Sequence, residues 1–506
     1  MADRFYLTTP LYYVNARPHI GHAYTTIVAD ALARAHRQRG EQVFLLTGTD
    51  EHGEKIAQAA SGAGLSPKAF ADQTSEVFRS LWKQLNISCD HFIRTTDPEH
   101  EQIVQLVLGR LKPQLELGSY RFWYCVPCET NFGLNEVNPA TALCPQCRRP
   151  VQQVEEEDYF LPLEKHRGWL KEQIQKNPGF IRPESRRNEV LGMLADELPA
   201  LCITRPKDRV PWGIPVPFSP SHTTYVWFDA LLNYITALGW PDGEKFHTCW
   251  EQAGAIHLVG KDIIRHHCLY WPILLHALGV VPPKQVFAHG WWLVKGEKMS
   301  KSKGNIVDPE AVVEAYGLDA FRYFLLRDVP FGEDGLFSEE ALVKRINSDL
   351  ANDLGNLVYR TLTMLEKHAG GKIPAGQPDA ALTRQMADTA AAVWTGLAEL
   401  APARALRALW QLITRANQLV EERAPWTLAK EGKRQELETF LYQLADTVRA
   451  VALLLWPFLP GSAEAIWQQL GFTTDLATQR LPNALTDPIP AGQPISKGAP
   501  LFPRLQ

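Results

Sequence analysis

Two short motifs carry the side chains able to handle a polyphosphate. Pro18-His19-Ile20-Gly21-His22 stands near the start of the chain, and Lys298-Met299-Ser300-Lys301-Ser302 lies well past its middle. Pro18 suits the first position of a helix, where its missing N–H has no partner to lose. His19 and His22 then sit where backbone N–H groups and the helix dipole attract anions. Gly21 lets a flat purine approach the backbone, and two imidazoles beside it can donate to phosphate oxygens as charge shifts onto them. The second motif lies between Gly296 and Gly304, with Lys295 and Lys303 nearby, which predicts a hinged loop. Lys298 and Lys301 are compact charges suited to a triphosphate. In nucleotidyl transfer the protein does little covalent work, so positioned cations supply much of the rate. Alone, the first motif reads equally as a helix start with incidental histidines, and the second as a solvated basic turn. Their joint occurrence favours a split nucleotide site.

A second constellation is built from cysteines. Cys125-x-x-Cys128, fifteen intervening residues and Cys144-x-x-Cys147 have zinc spacing, with Val126-Pro127 and Pro145-Gln146 as the short turns. Four thiolates make a closed tetrahedral site without an open position, so one structural Zn2+ is expected and no direct catalysis. Cys89, Cys202, Cys249 and Cys268 are scattered and read as buried free thiols. The chain opens Met1-Ala2-Asp3-Arg4-Phe5, without a charged-then-apolar leader, which favours metal over disulfides and a cytoplasmic location.

These residues need a scaffold. With 506 residues, 45% hydrophobic and 21% charged, the chain has room for about three domains. A net charge of −4 advertises no global affinity for nucleic acid, so a polyanion must meet local basic patches. No apolar run is long enough to span a membrane. Phe5–Thr9 reads as a buried strand, Ala23–Arg39 as a helix ended by Gly40, and Gln42–Gly48 as the next buried strand, a βαβ unit that implies a parallel sheet. Further strands at Ala255–Gly260 and Val286–Gly290 imply that a long insertion interrupts the sheet. Beyond residue 340 helical periodicity runs through 340–368, 380–400, 403–423 and 434–456, the pattern of a helix bundle.

The two motifs, together with Thr47-Gly48-Thr49-Asp50-Glu51-His52-Gly53, Tyr225-Val226-Trp227-Phe228-Asp229-Ala230 and Gly260-Lys261-Asp262-Ile263, resemble those of the class I aminoacyl-tRNA synthetases, most specifically the methionyl-tRNA synthetases. The resemblance covers essentially the whole chain. It implies ATP contacts from His19, Gly21, His22, Gly260 and Asp262, and from Lys298, Ser300 and Lys301 on the loop. Within that set, His19 and His22 would stabilise the phosphates during adenylate formation and Lys298 and Lys301 would bind the departing pyrophosphate, with Mg2+ accompanying ATP.

Methionine is unbranched, apolar and polarizable, so an aromatic pocket with one weak polar probe for sulfur should recognise it. Trp227 and Tyr234 are seven apart on one helical face, and His267 and Trp271 four apart on another. Without the resemblance such aromatics read as core. With it, Leu11, Tyr13, Asp50, Trp227, Tyr234, His267 and Trp271 are expected to line the methionine site, Asp50 holding the ammonium. His266 departs from the aromatic that some members carry. The insertion is too short for the large hydrolytic domain by which the leucine, isoleucine and valine enzymes edit.

A synthetase that reads an anticodon needs a second domain, because the anticodon is far from the acceptor end. Asn356 and Arg360 are four apart on a helix, Trp426 follows Ala424-Pro425 at a corner, and Asn417 lies on the preceding helix. The resemblance places Asn356, Arg360 and Trp426 at the anticodon of tRNA(Met), in a position to stack and hydrogen-bond splayed bases, and Asn417 is expected beside them from its place on the preceding helix. The expected division is 1–113 and 225–290 as the two halves of a Rossmann-like parallel-sheet domain, and 114–224 as the insertion with its knuckle at 121–152. Residues 291–345 hold the lysine loop and stem contacts, 346–478 the all-α anticodon domain, and 479–506 an extended tail. A monomer is expected. Two other classes fit parts of the pattern: a nucleotidyl transferase acting on a small molecule, which would not need the helical half, and a non-catalytic zinc-containing RNA-binding protein, against which His19, His22, Lys298 and Lys301 argue.

Overall fold

The computed structural model describes residues 3–128, 130–299 and 305–505. The chain packs as two compact units. The first, Arg4–Pro18 with Phe44–His289, is organised by a six-stranded sheet. Its strands are β1 (Arg4–Tyr13), β2 (Gln42–Asp50), β3 (His91–Arg94), β4 (Ile181–Arg182), β5 (Ala255–Gly260) and β6 (Gln285–His289), in the order β3-β2-β1-β5-β6-β4. The pairs β2–β3, β1–β5, β5–β6 and β6–β4 are parallel, with Thr8 opposite His257 and Gly260 opposite His289. Apolar runs make these strands, as expected for a parallel sheet covered on both faces; Tyr6, Leu7, Leu45, Leu46, Leu258 and Val259 are fully buried. At Gly48 a Cβ would lie 2.0 Å from the Ile93 carbonyl oxygen, so the β2–β3 pairing leaves room only for glycine. Strand order reverses between β1 and β5, and in open parallel sheets ligands bind beyond the strand ends at such a reversal.

The insertion builds its own antiparallel sheet, in which Glu116–Cys125 pairs with Thr130–Phe132 on one side and Gln152–Leu161 on the other, and Leu201–Cys202 closes the far edge. One short piece of the 114–224 stretch, β4, leaves that sheet and extends the parallel one. Two residues carry too little periodicity to announce a strand; the edge forms because Phe287 and Val286 of β6 offer it a backbone partner.

The second unit comprises His19–Val43 and the chain from Gly290 onward. It contains the helix Ile20–Gln38, a small sheet of Trp292–Val294 between Glu297–Lys298 and Gly335–Phe337, and the long helices Asn356–Ala369, Ala380–Ala398, Pro402–Arg423 and Arg434–Leu455. The continuous periodicity of 340–368 resolves into three pieces, Glu339–Arg345, a π-helical Ile346–Gly355 and Asn356–Ala369. The wider π turn keeps the hydrophobic face in line, so sequence spacing alone does not register it. Fully buried Arg322 donates to Asp30 Oδ2 at 2.7 Å and to the Phe458 carbonyl at 2.8 Å. The Pro-rich tail is an extended strap on this unit: the Ile373 N–H donates to the Gln493 carbonyl, the Ile373 carbonyl accepts from the Gly492 N–H, and Asn347 both donates to and accepts from the Leu505 backbone. Among the described residues no helix is long and apolar enough to cross a membrane.

Candidate active site and metal cluster

In the first unit a cavity of about 190 Å³ opens at the ends of β1 and β2 against the helix Val226–Thr236. Leu11, Tyr13, Asp50, Trp227, Tyr234 and His267 all line it, so six of the seven residues expected at an amino-acid site meet there. Trp271 does not line it. It is fully buried, packs its ring 5.8 Å from that of Tyr234, and donates its indole N–H to His257 Nε2 at 3.2 Å. Helical spacing put Trp271 on the face of His267, but the backbone is a wide π turn over His266–Tyr270, and this swings the indole behind the wall.

The hydrogen bonds fix the protonation pattern of this wall. His267 Nδ1 faces the Ile263 carbonyl at 3.0 Å, an acceptor only, so Nδ1 carries the proton. Nε2 is then an acceptor, and the Tyr234 hydroxyl donates to it at 2.8 Å. Burial holds the His267 pKa at about 4, so the imidazole is neutral at physiological pH. Behind it, His257 accepts from Trp271 at Nε2 and therefore donates from Nδ1 to Thr8 Oγ1 at 2.8 Å. His257 stacks on Tyr234 with ring centroids 4.1 Å apart. In the sequence His257 stands out only as a lone histidine inside the apolar β5. His266 stacks face to face on Trp227 at 3.7 Å, so the departure at this position still supplies a flat ring.

Asp50 is held by what happens on either side of it. Fully buried Glu51 accepts two bonds from Arg94, at 2.7 and 2.8 Å, one from Thr96 at 2.6 Å and one from Thr49 at 2.8 Å. This forked, charge-assisted pair anchors the end of β2. His52 Nδ1 lies 2.9 Å from Oδ2 of buried Asp229, whose pKa burial raises, and the Tyr13 hydroxyl donates to the His52 carbonyl at 2.9 Å. Asp229 and the cavity residues Trp227 and Tyr234 share one helix, so the His52 contact ties the Asp50 loop to the aromatic wall. Glu51, His52 and Asp229 belong to motifs that the sequence displays, but their supporting role depends on contacts that only folding reveals.

In the second unit, the two histidines cap the helix Ile20–Gln38 reciprocally. His19 Nδ1 accepts from the Gly21 N–H and His22 Nδ1 accepts from the His19 N–H, both at 3.1 Å, with the rings stacked at 3.8 Å. Each Nδ1 is thereby an acceptor, which leaves the proton of each neutral ring on Nε2 as a donor. Burial, then repulsion from His19, holds the His22 pKa well below the usual histidine range, so neutrality is the resting state. A Cβ on Gly21 would come within 2.9 Å of His19 Cε1 and 4.0 Å of Met299 Cε, so the first motif and the start of the second are neighbours in this unit. Lys298 closes the short strand before the loop; Ser300 and Lys301 lie outside the described residues. Gly260 and Asp262 belong to the first unit, at the end of β5. There Asp262 Oδ1 lies against Gly260, 2.5 Å from where a Cβ would stand, so a side chain at 260 would have to turn the Asp262 carboxylate aside.

The cysteine pairs converge as their spacing predicts. The four Sγ atoms of Cys125, Cys128, Cys144 and Cys147 lie within 4.8 Å of one another, with Cys125–Cys147 at 3.5 Å and Cys128–Cys144 at 3.8 Å. Tetrahedral zinc with Zn–S bonds of about 2.3 Å separates its sulfurs by about 3.8 Å, so the donor set and its spacing fit that ion. Cys202, Cys249 and Cys268 are buried free thiols, and Cys89 is half-buried.

The family model for class I tRNA synthetases (M) matches residues 5–155 and 149–362, and the model for the anticodon binding domain of methionyl tRNA ligase matches 370–506. The methionine–tRNA ligase of Caldanaerobacter subterraneus subsp. tengcongensis is 47% identical over all of this chain and 79% of its own length. That of Bacillus subtilis is 44% identical over all of this chain and 78% of its own. The chain belongs to the methionine–tRNA ligases. The crystal structure of Mycobacterium tuberculosis methionyl-tRNA synthetase bound by methionyl-adenylate superimposes with a TM-score of 0.93 at 41% identity, covering 99% of this chain and 100% of that one. As a class I member, the protein activates methionine with ATP to methionyl-adenylate, releases pyrophosphate, and transfers the methionyl group to tRNA.

Seen as a tRNA ligase, the second unit carries its RNA-facing candidates on one run of helices. Asn356 is exposed at the start of its helix, and one turn on Arg360 pairs with Glu421 at 2.7 Å. Glu421 lies in the last turn before Ala424, whose left-handed φ of 40° ends the helix and leads into Trp426, 48% exposed. Asn417 differs from the other three: its amide N–H2 is already bonded to the carbonyls of Asp353 at 3.0 Å and Ile413 at 3.3 Å. It ties two helices together.

The buried histidines give the ligase a characteristic response to acid. Burial holds His267 at about 4 and pushes His22, His257 and His266 well below the usual range, with a neighbouring histidine adding repulsion at each of the last three. Unfolded, each would titrate near about 6.5. As pH falls from that value toward 4, the unfolded chain takes up protons that the fold refuses, so stability declines; above it these groups contribute no slope. The urea midpoint is therefore expected to drop between pH 7 and pH 5, and equal midpoints would refute the assignment of neutral rings.

Proposed function

We propose that the cavity of Leu11, Tyr13, Asp50, Trp227, Tyr234 and His267 is the methionine site, with Asp50 on the ammonium and the side chain against the rings, backed by Trp271. The observation that carries this reading is the combination of one carboxylate with an aromatic wall whose histidine is neutral. The rings of Trp227, Tyr234 and His267 carry no charge and offer a polarizable surface for sulfur, while Lys55, also at the cavity, stands over the Tyr13 ring. The Tyr234 proton is committed to His267, so the hydroxyl's electron pairs and the ring faces are what the sulfur meets.

His19 and His22 donate Nε2–H to the phosphates of ATP over Gly21, while Gly260 and Asp262 take the nucleoside. A methionine carboxylate oxygen attacks the α-phosphorus in line, the bond to the β-phosphate oxygen breaks, and pyrophosphate leaves. The histidine donors need not change protonation state; they stabilise charge as it shifts. Lys298, Ser300 and Lys301 receive the pyrophosphate, and Mg2+ enters with ATP. Cys125, Cys128, Cys144 and Cys147 hold one Zn2+, whose contribution is to fold the arm. Asn356, Arg360 and Trp426 face the anticodon of initiator and elongator tRNA(Met), and Asn417, whose amide N–H2 is committed to the Asp353 and Ile413 carbonyls, joins them only through its side-chain oxygen. The ligase works as a cytoplasmic monomer divided along the sequence boundaries given above.

ATP–pyrophosphate exchange measured with each of the twenty amino acids tests the cavity: exchange should depend on methionine, and dependence on leucine or cysteine would overturn the assignment. Trp426→Ala should leave that exchange within about twofold of the parent while tRNA charging falls roughly 10-fold to 100-fold, the loss of one stacked base at about 1–3 kcal/mol. Equal loss of both activities would refute an anticodon role for Trp426.

A further inference from the structure

One residue belongs to both constellations. Cys128, a member of the four-sulfur cluster, also lines the amino-acid cavity. We propose that the cluster and the cavity are thermodynamically linked through Cys128, so that a metal held by the four sulfurs and methionine held in the cavity stabilise one another. This rests on the reading of the cavity as the methionine site and of the cluster as a zinc site.

The arm that carries the cluster has a small core of its own. Cys125, Phe132, Val137, Cys144 and Val151 are its buried members, and Cys128 and Cys147 pack against them only partly buried. A core of that size does not fix a turn by hydrophobic burial alone, and a metal commonly supplies what is missing. The position of Cys128 is thus set by the cluster, and through Cys128 so is one wall of the cavity. Two effects then favour methionine when the metal is present. The wall is in place before the substrate arrives, which removes an ordering cost from binding. Four thiolates around a divalent cation also carry two net negative charges, which adds to the field of Asp50 at the ammonium. Linkage is reciprocal, so whatever the metal does for methionine affinity, methionine does for metal affinity.

The test uses the full chain loaded with zinc and a chromogenic chelator that reports release of the ion. In equilibrium competition with that chelator, saturating methionine should tighten zinc binding by about fivefold, the low end of typical coupling between sites, and leucine at the same concentration should not. Equilibrium dialysis of labelled methionine should show affinity weakened by the same factor in the metal-stripped protein. Cys128→His keeps four ligands of kinds zinc accepts; it should retain one zinc per chain and yet bind methionine more weakly. Equal zinc affinities with and without methionine, in a protein that binds both, would overturn the linkage alone. A purified chain without zinc would overturn the cluster reading beneath it, and absence of methionine binding to the zinc-loaded chain would overturn the cavity reading.

Discussion

Asp30→Ala should lower the unfolding free energy of the second unit by about 3–5 kcal/mol, the usual result of removing one partner from a buried ion pair. Asp30 Oδ2 receives Arg34 Nε at 2.8 Å and an Arg322 terminal nitrogen at 2.7 Å, and both Asp30 and Arg322 are fully buried. Arg322 spends its Nε on the Phe458 carbonyl at 2.8 Å, so it joins the helix Ile20–Gln38 to the turn after Arg434–Leu455. Removing the carboxylate takes from the buried guanidinium the counter-charge that its terminal nitrogen meets, far from water. Most of the loss comes from that stranded cation and not from the missing attraction, and the double variant separates the two. Asp30→Ala with Arg322→Leu should recover a large part of the stability that Asp30→Ala alone loses. Urea unfolding followed by the fluorescence of the second unit's tryptophans reads both. A loss below about 1 kcal/mol for the single variant, in the range of exposed pairs, would show that the site is wet.

Nothing in the sequence announced that triad. Asp30, Arg34 and Arg322 are ordinary charges on amphipathic helices, and the helix that carries the first two reads as a crossover of a βαβ unit. What makes them a network is an approach between segments nearly three hundred residues apart. The reverse holds for the chemistry-bearing motifs. Zinc binding and anion binding at a helix start depend on residues close in sequence, so His19–His22 and the two Cys-x-x-Cys pairs were legible, while the reciprocal cap made by the two imidazoles was not. The strands of the parallel sheet were legible because burial on both faces makes them continuous apolar runs. The aromatic cavity was legible where helical spacing is regular, for Trp227 and Tyr234. It misled at Trp271, where a π turn breaks the spacing, and it was silent at Cys128, whose place at the cavity depends on packing. Asn417 shows a further limit: an amide on the right helix face satisfies backbone carbonyls as readily as bases.

Asp50→Asn is expected to have the largest effect on activity. The substitution keeps size and removes charge, and the anchors on either side of it remain: Glu51 is still forked by Arg94, and His52 still meets Asp229. The fold of the loop should survive. A bound methionine ammonium, however, would lose the one carboxylate that lines the cavity among the described residues. Truncating one partner of a desolvated charge pair costs about 2–5 kcal/mol, which in kcat/KM for methionine is a fall of between about 30-fold and a few thousand-fold. Because the ammonium contact persists from ground state to adenylate, the loss should appear chiefly in KM for methionine, with KM for ATP little changed. An analogue with hydroxyl in place of the ammonium, 2-hydroxy-4-(methylthio)butanoate, separates contact from collapse. It should bind parent and variant with similar affinity, since it presents no cation to Asp50. If the variant loses the hydroxy acid as completely as it loses methionine, then Asp50 shapes the cavity without touching the substrate. The ammonium would then need another acceptor, and Asn233 of the same wall, whose Oδ1 is buried without a hydrogen-bond partner, is the residue to test next.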